Sequence, residues 1–314
     1  MIVTERSSSP DEVRDEVRAW DLLSALARRA STGPAIVGDT GLRLDAQGQL
    51  EAIAATDNNA WLVARPSSAR GWSPASGPSR LATTVAAEML LDLHMPLCVG
   101  EGSQFLVLGH LAQSLDGRIA TVSGHSQFIT ANENLVHAHR LRALSDVVLV
   151  GRRTVEEDDP RLTTRLVEGR NPLRAVVDPD RRLRTDHQLF RDGLSPTLLF
   201  CTPRAAQGDT HHGQAELATI EPVDGRLPVA AILAELRRRG LHRVYIEGGG
   251  MTVSRFVEAG VLSRLQITVA PTVLGSGRSM LTLPEIAHLS EALPLECRHF
   301  AMGRDMLFDC TFVR

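Results

Sequence analysis

The last two thirds of the chain alternate between short apolar runs and segments with helical apolar spacing. Short runs rich in Val, Ile and Leu that end at Gly or Asp are typical of buried strands, whereas apolar residues recurring every three or four positions predict helices. Strands alternating with helices imply an α/β fold, a mostly parallel sheet with helices on its faces. The predicted strands are FLVLGHLAQS, DVVLVG, LRAVVD, PTLLF, RVYIEGGG and RLQITVAPTVLG, and the predicted helices are ENLVHAHRLRALS and AAILAELRRRG.

The chain begins with a different pattern. Residues 10–30 predict an amphipathic helix, because Val13, Val17, Trp20 and Leu23 recur at helical spacing after a Pro-Asp start. We expect this helix to pack against the rest of the protein without taking part in chemistry.

A small α+β region is predicted to follow this helix. Residues 32–66 predict short strands broken by Gly, Asp and Asn, and the Ser/Gly/Pro-rich residues 67–80 predict a loop. Residues 81–97 predict a last helix or strand before the pattern changes. We therefore divide the chain into an N-terminal region of unknown role, 1–101, and an α/β domain, 102–314.

Composition excludes several classes of chemistry. The 34 basic residues are all arginine, so Schiff-base catalysis and a Walker lysine are excluded. The chain has 12 aromatic residues and a net charge of -3, which argue against a nucleic-acid partner. We expect a small-molecule partner.

Cysteine usage and hydropathy predict a cytoplasmic location. The four cysteines, Cys98, Cys201, Cys297 and Cys310, are widely scattered and have no zinc-ligand spacing, so neither a zinc site nor a disulfide framework is expected. The first residues are polar and acidic, and no apolar run approaches the length of a membrane span, so no membrane association is expected.

A glycine triplet follows the strand RVYIE directly. Glu247 ends the strand, and Gly248, Gly249 and Gly250 lead into a helix. Glycines here let backbone N–H groups approach a phosphate at the helix N-terminus, but the spacing differs from G-x-G-x-x-G, and a plain tight turn explains the triplet equally well. Glu247 either holds sugar hydroxyls or caps the helix.

Two further segments carry candidate ligand groups. Residues 151–165 combine a strand end with Thr154, four acids and arginines that suit ribose and phosphate groups, although a charged surface loop is the alternative. Residues 114–130 form a loop rich in hydroxyls. His137 and His139 lie two apart on a helix and face differently, so no metal site is expected. No G-x-S-x-G elbow supports a hydrolase.

Seven motifs in one order resemble a known family, the reductase domain of the bifunctional riboflavin-biosynthesis deaminase-reductase. The resemblance covers roughly residues 104–314. The motifs are S-L-D-G-R-I-A (114–120), S-G-H-S-Q-F-I-T (123–130), L-R (141–142), G-R-R-T-V-E-E-D-D-P-R-L-T-T-R (151–165), N-P-L-R-A-V-V-D (171–178), E-G-G-G (247–250) and A-P-T-V-L-G (270–275).

The resemblance implies a dihydrofolate-reductase-like fold and a function. It implies NADPH-dependent reduction of 5-amino-6-(5-phosphoribosylamino)uracil to the ribitylamino product, and a homodimer. Two alternatives stay open: a related NADPH-dependent reductase acting on a pterin or other pyrimidine-like substrate, and a non-catalytic ligand-binding protein on the same fold.

The resemblance also assigns residues by motif. Arg118 and Glu247 are expected to orient the open-chain sugar as the catalytic pair. The expected substrate-binding residues, acting largely through the phosphate, are Ser126, Arg142, Leu162 and Arg165. The expected cofactor-binding residues are Ala112, Phe128, Thr154, Asp158, Gly248, Gly249, Gly250, Met251 and Thr252.

The sequence departs from the family pattern at several positions. His125 replaces the usual Glu, Phe128 the usual Trp, and Pro179 stands where a serine is frequent. Arg152 and Arg153 occupy usually small positions in the strand-to-loop turn, where they either contact a cofactor phosphate or obstruct the site. The zinc signature of the deaminase half is absent from the sequence.

Overall fold

Two units make up the chain, Met1–Gln104 and Phe105–Arg314. Among the described residues, no helix is both long and apolar enough to cross a membrane. The computed structural model describes residues 10–32, 36–81, 84–99, 105–126 and 129–313.

The first unit contains two helices and a four-stranded sheet. Its elements are α1 (Pro10–Thr32), β1 (Thr40–Leu44), β2 (Leu50–Ala54), β3 (Leu62–Ala64), β4 (Trp72–Pro74) and α2 (Val85–Cys98). The strands are antiparallel and run in the order β2-β1-β3-β4. Helix α1 packs against α2, and both helices contribute buried apolar side chains to the first unit.

Helix α1 is confirmed, but its predicted apolar stripe is partly wrong. Val13 and Val17 are 51% and 53% exposed, whereas Leu22, Leu23 and Leu26 are buried. At 100° per residue, Val13 and Val17 lie on the side of α1 opposite to Leu22 and Leu26. The buried face of α1 is therefore a different one from the predicted apolar stripe.

The predicted loop 67–80 contains a strand. Trp72 begins β4, is buried, and donates its indole N–H to Asp92 of α2 at 2.8 Å. The segment predicted as a last helix or strand contains helix α2, which begins at Val85 after Thr84, whose hydroxyl accepts the Ala87 N–H. The loop prediction failed because one aromatic anchor outweighs the turn-forming residues around it.

The second unit contains the large sheet. Its elements are β5 (Leu106–Ser114), β6 (Arg118–Thr121), α3 (Asn132–Leu144), β7 (Val147–Gly151), α4 (Arg152–Asp158), β8 (Leu173–Val177), β9 (Thr197–Cys201), α5 (Pro203–Ala206), β10 (His211–His212), β11 (Ala215–Thr219), α6 (Val229–Arg238), β12 (Arg243–Glu247), α7 (Gly250–Glu258), β13 (Arg264–Ala270), β14 (Gly277–Ser279), β15 (Leu295–Met302) and β16 (Asp305–Phe312).

Ten strands form one sheet in the order β10-β11-β9-β8-β7-β12-β5-β13-β16-β15. The strands from β11 to β13 pair in parallel, and both edges are completed by antiparallel pairs. The predicted α/β class with a mixed, mostly parallel sheet is therefore confirmed. Strands β6 and β14 form a separate antiparallel pair.

The two faces of the sheet differ in polarity. Along β12, Val244 and Ile246 belong to an apolar core that includes Val253 and Phe256 of α7. Tyr245 and Glu247 point to the opposite face, because side chains alternate along a strand. Helix α3 packs on that second face, where Arg142 bonds Glu247. The site is therefore built on the polar face, at the strand ends.

Two segments differ locally from expectation. Arg152 and Arg153 do not lie in a strand-to-loop turn, because the chain enters α4 directly after Gly151. Cys297 and Cys310, far apart in sequence, are directly paired across β15 and β16, although both are free thiols. Hairpin register brings them together, which sequence spacing alone does not reveal.

Candidate active site

A cavity of about 1150 Å³ opens where the central parallel strands β7, β8 and β12 end. Ligands of open α/β sheets collect at this edge. Eleven of the predicted site residues line the cavity, so the tertiary structure brings together groups from five separate sequence segments. These residues are Ala112, Ser126, Thr154, Asp158, Arg165, Glu247, Gly248, Gly249, Gly250, Met251 and Thr252.

Three predicted residues are not among the described residues that line the cavity: Arg118, Arg142 and Leu162. The Arg118 guanidinium donates to the Gly275 carbonyl at 3.1 Å and the Ser279 hydroxyl at 2.9 Å, because β6 pairs with β14 and turns the side chain across it. The structure therefore does not place Arg118 beside Glu247. Leu162 is buried in a left-handed conformation, and Phe128 lies outside the described residues.

The Glu247 carboxylate is held by Arg142 from α3. Arg142 Nε donates to Glu247 Oε2 at 2.7 Å and Nη2 donates to Oε1, while Nη1 donates to the Thr163 carbonyl at 2.9 Å. Burial disfavours the charged guanidinium, but the Glu247 carboxylate outweighs it and raises the pKa of Arg142. The Arg142 guanidinium thus orients Glu247. This contact differs from the role predicted for Arg142, which was to bind the substrate phosphate.

Arg165 presents a positive charge to the cavity. Its backbone N–H donates to His139 Nδ1 at 2.8 Å and its Nη1 donates to the Thr163 hydroxyl at 2.9 Å. Burial and the positive charges of Arg142 and Arg161 lower the pKa of Arg165, against the opposing effect of Glu247. No carboxylate in the described part of the chain forms an ion pair with Arg165, so its guanidinium is available to an anionic ligand.

A directional hydrogen-bond chain lies under α3 beside Glu247. The Thr268 hydroxyl donates to Asn134 Oδ1 at 2.7 Å, so it accepts from His110 Nε2 at 3.2 Å. His110 Nδ1 is then the acceptor for the Tyr245 hydroxyl, also at 3.2 Å. Burial lowers the pKa of His110 to about 4 and raises that of Tyr245, so both groups are neutral near pH 7.

The glycine triplet forms an open backbone bend. Gly248 and Gly249 have φ values of 63° and 69°, which glycine adopts without the strain that a side chain causes. A Cβ on Gly249 would lie 2.9 Å from the Thr154 hydroxyl, whereas a Cβ on Gly248 would meet open space. Within the described chain, no hydrogen bond uses the N–H of Gly250 or Met251, at the start of α7. The bend therefore fits a phosphate group.

Charges on α4 adjoin this bend. Burial, and then the neighbouring Glu157, raise the pKa of Asp158. Arg152 bonds Glu156 one turn along the helix, and its Nε lies 3.9 Å from the buried Asp178 Oδ1. Arg153 Nη1 lies instead 3.8 Å from Met251 Sδ. The two arginines that depart from the family pattern thus differ in their partners, since Arg152 is paired with carboxylates and Arg153 is not.

His110 and Tyr245 were not anticipated as site residues. His110 interrupts the apolar run FLVLGHLAQS, and Tyr245, the single tyrosine of the chain, precedes Glu247 by two positions. The sequence contained a signal for each residue. His110 is a lone polar residue inside a buried strand, and Tyr245 lies two positions from a candidate carboxylate, on the same face of its strand. Residue pairing places His110 opposite Glu247 across β5 and β12.

Residues 106–307 match the RibD C-terminal domain family. The chain belongs to this family. Among curated relatives, it is 30% identical to a 2,5-diamino-6-ribosylamino-4(3H)-pyrimidinone 5′-phosphate reductase of Methanothermobacter thermautotrophicus, over 65% of this chain and 97% of that protein. It is 31% identical to the riboflavin biosynthesis protein RibD of Aquifex aeolicus, over 62% of this chain and 54% of that protein.

Solved structures agree with this membership. A deaminase/5-amino-6-(5-phosphoribosylamino)uracil reductase from Thermotoga maritima aligns with a TM-score of 0.58 at 25% identity, over 67% of this chain and 57% of that chain. The riboflavin biosynthesis reductase Rib7 of Saccharomyces cerevisiae aligns with a TM-score of 0.55 at 21% identity, over 67% and 90%. The chain thus spans little more than half of the two-domain RibD proteins, and the predicted fold is confirmed.

Proposed function

We propose that the protein is a nicotinamide-dependent oxidoreductase that reduces a 5-phosphoribosylamino pyrimidine to its ribitylamino form. The carrying observation is the pairing of two features in one cavity: Arg165, which lacks a carboxylate partner in the described chain, and Glu247, which Arg142 holds in place. Arg165 suits the substrate phosphate and Glu247 suits the sugar hydroxyls.

Two related substrates fit this proposal. The sequence resemblance implied 5-amino-6-(5-phosphoribosylamino)uracil. The Methanothermobacter relative, matched over nearly its whole length, is named for the 2,5-diamino-pyrimidinone equivalent. The two differ at one ring substituent, so a comparison of kcat/KM for both decides which is preferred.

NADPH is the proposed cofactor, and the glycine bend fits its pyrophosphate. Gly250, Met251 and Thr252 would hold the phosphates, while Thr154 and Asp158 would hold the neighbouring polar groups. When bound, NADPH supplies the hydride for the imine carbon of the ring-opened sugar. Glu247 keeps the open chain in one orientation, because its carboxylate is fixed by Arg142.

Consumption of NADPH with each pyrimidine substrate tests the proposal. We expect turnover by the intact protein, and we expect Arg165→Ala to raise KM roughly 10- to 100-fold because a charged contact to phosphate is lost. Arg184→Ala, an exposed arginine paired with Asp186, is the matched control and should leave KM unchanged.

The same experiment separates the alternatives. Turnover of a pterin but of neither ribosylamino pyrimidine supports the related reductase, and failure to bind any nicotinamide nucleotide supports a non-catalytic binding protein. We also propose the homodimer that the resemblance implied, which sedimentation of the intact protein tests directly.

A further inference from the structure

Two arginines line the cavity beside Met251. Arg153 of α4 and Arg255 of α7 both line it, and Met251 lies between them. Arg153 Nη1 is 3.8 Å from Met251 Sδ, while Met251 and Arg255 are four residues apart on one helix and share a face. The rim defined by Arg153, Met251 and Arg255 is called the arginine rim below.

The two arginines of the arginine rim lack ion-pair partners among the described residues. Neither Arg153 nor Arg255 forms an ion pair with a carboxylate in the parts of the chain that the structure describes. Burial and the positive charge of Arg226 lower the pKa of Arg255, with Glu258 opposing. An anion bound beside Arg255 would offset the repulsion between Arg255 and Arg226.

Two other cavity arginines, Arg152 and Arg278, are paired with carboxylates. Arg152 bonds Glu156, and Arg278 donates to both carboxylate oxygens of Glu157 at 2.7 and 2.8 Å. Asp180, an acid that also lines the cavity, is paired with Arg182 at 2.9 Å. Unpaired positive charge is therefore concentrated beside the glycine bend, and Arg165 belongs to the Glu247 end.

The surroundings of the arginine rim fit the adenosine half of a dinucleotide. The cavity continues past Thr252 to a wall formed by Leu227, Val229 and Ile232, of which Leu227 and Ile232 are buried apolar side chains. A flat purine suits such a wall. With a pyrophosphate at the glycine bend, the adenosine ribose would lie between the bend and this wall, beside the arginine rim.

We infer that Arg153 and Arg255 bind the 2′-phosphate of NADPH and thereby select it over NADH. This inference rests on the proposed function only in assuming that the glycine bend holds a dinucleotide. Arg is the side chain that accommodates a 2′-phosphate in dinucleotide sites, because its planar donors match phosphate oxygens.

Calorimetric binding of 2′,5′-ADP and 5′-AMP to the full chain tests the inference without any turnover. The two probes differ by the 2′-phosphate. We expect the intact protein to bind 2′,5′-ADP more tightly, and we expect Arg153→Gln and Arg255→Gln each to weaken 2′,5′-ADP roughly tenfold while leaving 5′-AMP unchanged. Arg184→Gln is the control and should change neither affinity.

Three results would overturn the inference: equal affinity of the intact protein for both probes, equal weakening of both probes in the variants, or unchanged 2′,5′-ADP binding in both variants. Circular dichroism of each variant separates loss of fold from loss of contact. Failure of the proposed function gives a different result. A protein that prefers 2′,5′-ADP but reduces no pyrimidine would contradict the proposed substrate and would still support the role of the arginine rim.

Discussion

The guanidinium of Arg142 in α3 donates two hydrogen bonds to the carboxylate of Glu247 at the end of β12. The side chains are 10% and 18% exposed, so the pair is largely removed from water. Since a buried charge without a partner is costly, the pair couples the position of a helix to the orientation of the proposed sugar-binding group.

Arg142→Met should lower the free energy of unfolding by about 3 kcal/mol, because Glu247 is left buried and unpaired. Urea denaturation measures the change, and Arg184→Met, at an exposed pair, should shift it by less than about 0.5 kcal/mol. Adding Glu247→Leu to Arg142→Met should restore part of the loss; a double variant less stable than Arg142→Met would contradict the explanation.

Stability should fall in acid because of His110. Its pKa is about 4 in the folded protein against 6.5 for a free histidine, so the unfolded chain binds the proton first as pH drops. The stabilising contribution is complete above about pH 6.5 and is lost towards pH 4, by up to about 3 kcal/mol. His110→Gln should flatten this part of the stability profile.

The exposed His299 supplies the control for this profile. His299→Gln should retain the full decline between pH 6.5 and 4, because the exposed His299 leaves the buried hydrogen bonds of His110 to Tyr245 and Thr268 intact. Identical profiles for both variants would show that other groups cause the acid sensitivity.

Two glycines of the triplet should differ in their response to alanine. A Cβ on Gly250 would lie 2.3 Å from the Met280 carbonyl oxygen, so backbone must move, and we expect a loss of about 3 kcal/mol. Gly248→Ala meets open space and only the strain of its positive φ, about 1 kcal/mol. Denaturation of both variants in guanidinium chloride measures the two losses of stability. A larger loss in Gly248→Ala than in Gly250→Ala would contradict the prediction.

Cys297 and Cys310 should form a disulfide when treated with oxidised glutathione. In an antiparallel hairpin, hydrogen-bonded and non-hydrogen-bonded residue pairs alternate from the turn, which lies here at Gly303. The Cys297–Cys310 pair is the fifth after the hydrogen-bonded closing pair Met302–Asp305, so it is a non-hydrogen-bonded pair with close side chains. Each cysteine gives up its thiol hydrogen as two glutathione molecules are released.

A count of thiols in the denatured protein measures this oxidation. Four thiols should fall to two, and the Cys98→Ser variant should likewise lose two. Cys297→Ser should form no intramolecular disulfide; loss of a thiol pair in that variant would assign the reaction to other cysteines.

The sheet and most of its helices could be predicted because their signals are local. Buried parallel strands such as β7 and β9 consist of continuous apolar residues, and α6 repeats its apolar residues at helical spacing before Gly240. The strands at the two edges of the large sheet, β10, β11, β15 and β16, were not predicted. In the first unit β4 was missed, because the burial of Trp72 depends on α2 and not on neighbouring residues.

The candidate site was predicted less completely for the same reason. Motifs identified Glu247, Arg165 and the glycine triplet, all of which line the cavity. They placed Arg118 beside the sugar, but the pairing of β6 with β14 directs it to Gly275. They omitted His110, whose neighbours come from other strands.

By itself, the sequence determined the class of fold, the family and the segments that supply the site. These follow from periodicity and motif order, which are properties of neighbouring residues. Only the tertiary structure decided that Arg142 orients Glu247, that Arg153 and Arg255 share a rim and that Cys297 faces Cys310. Each of these depends on strand register or helix packing, where residues distant in the chain meet because burying apolar surface fixes how the elements align.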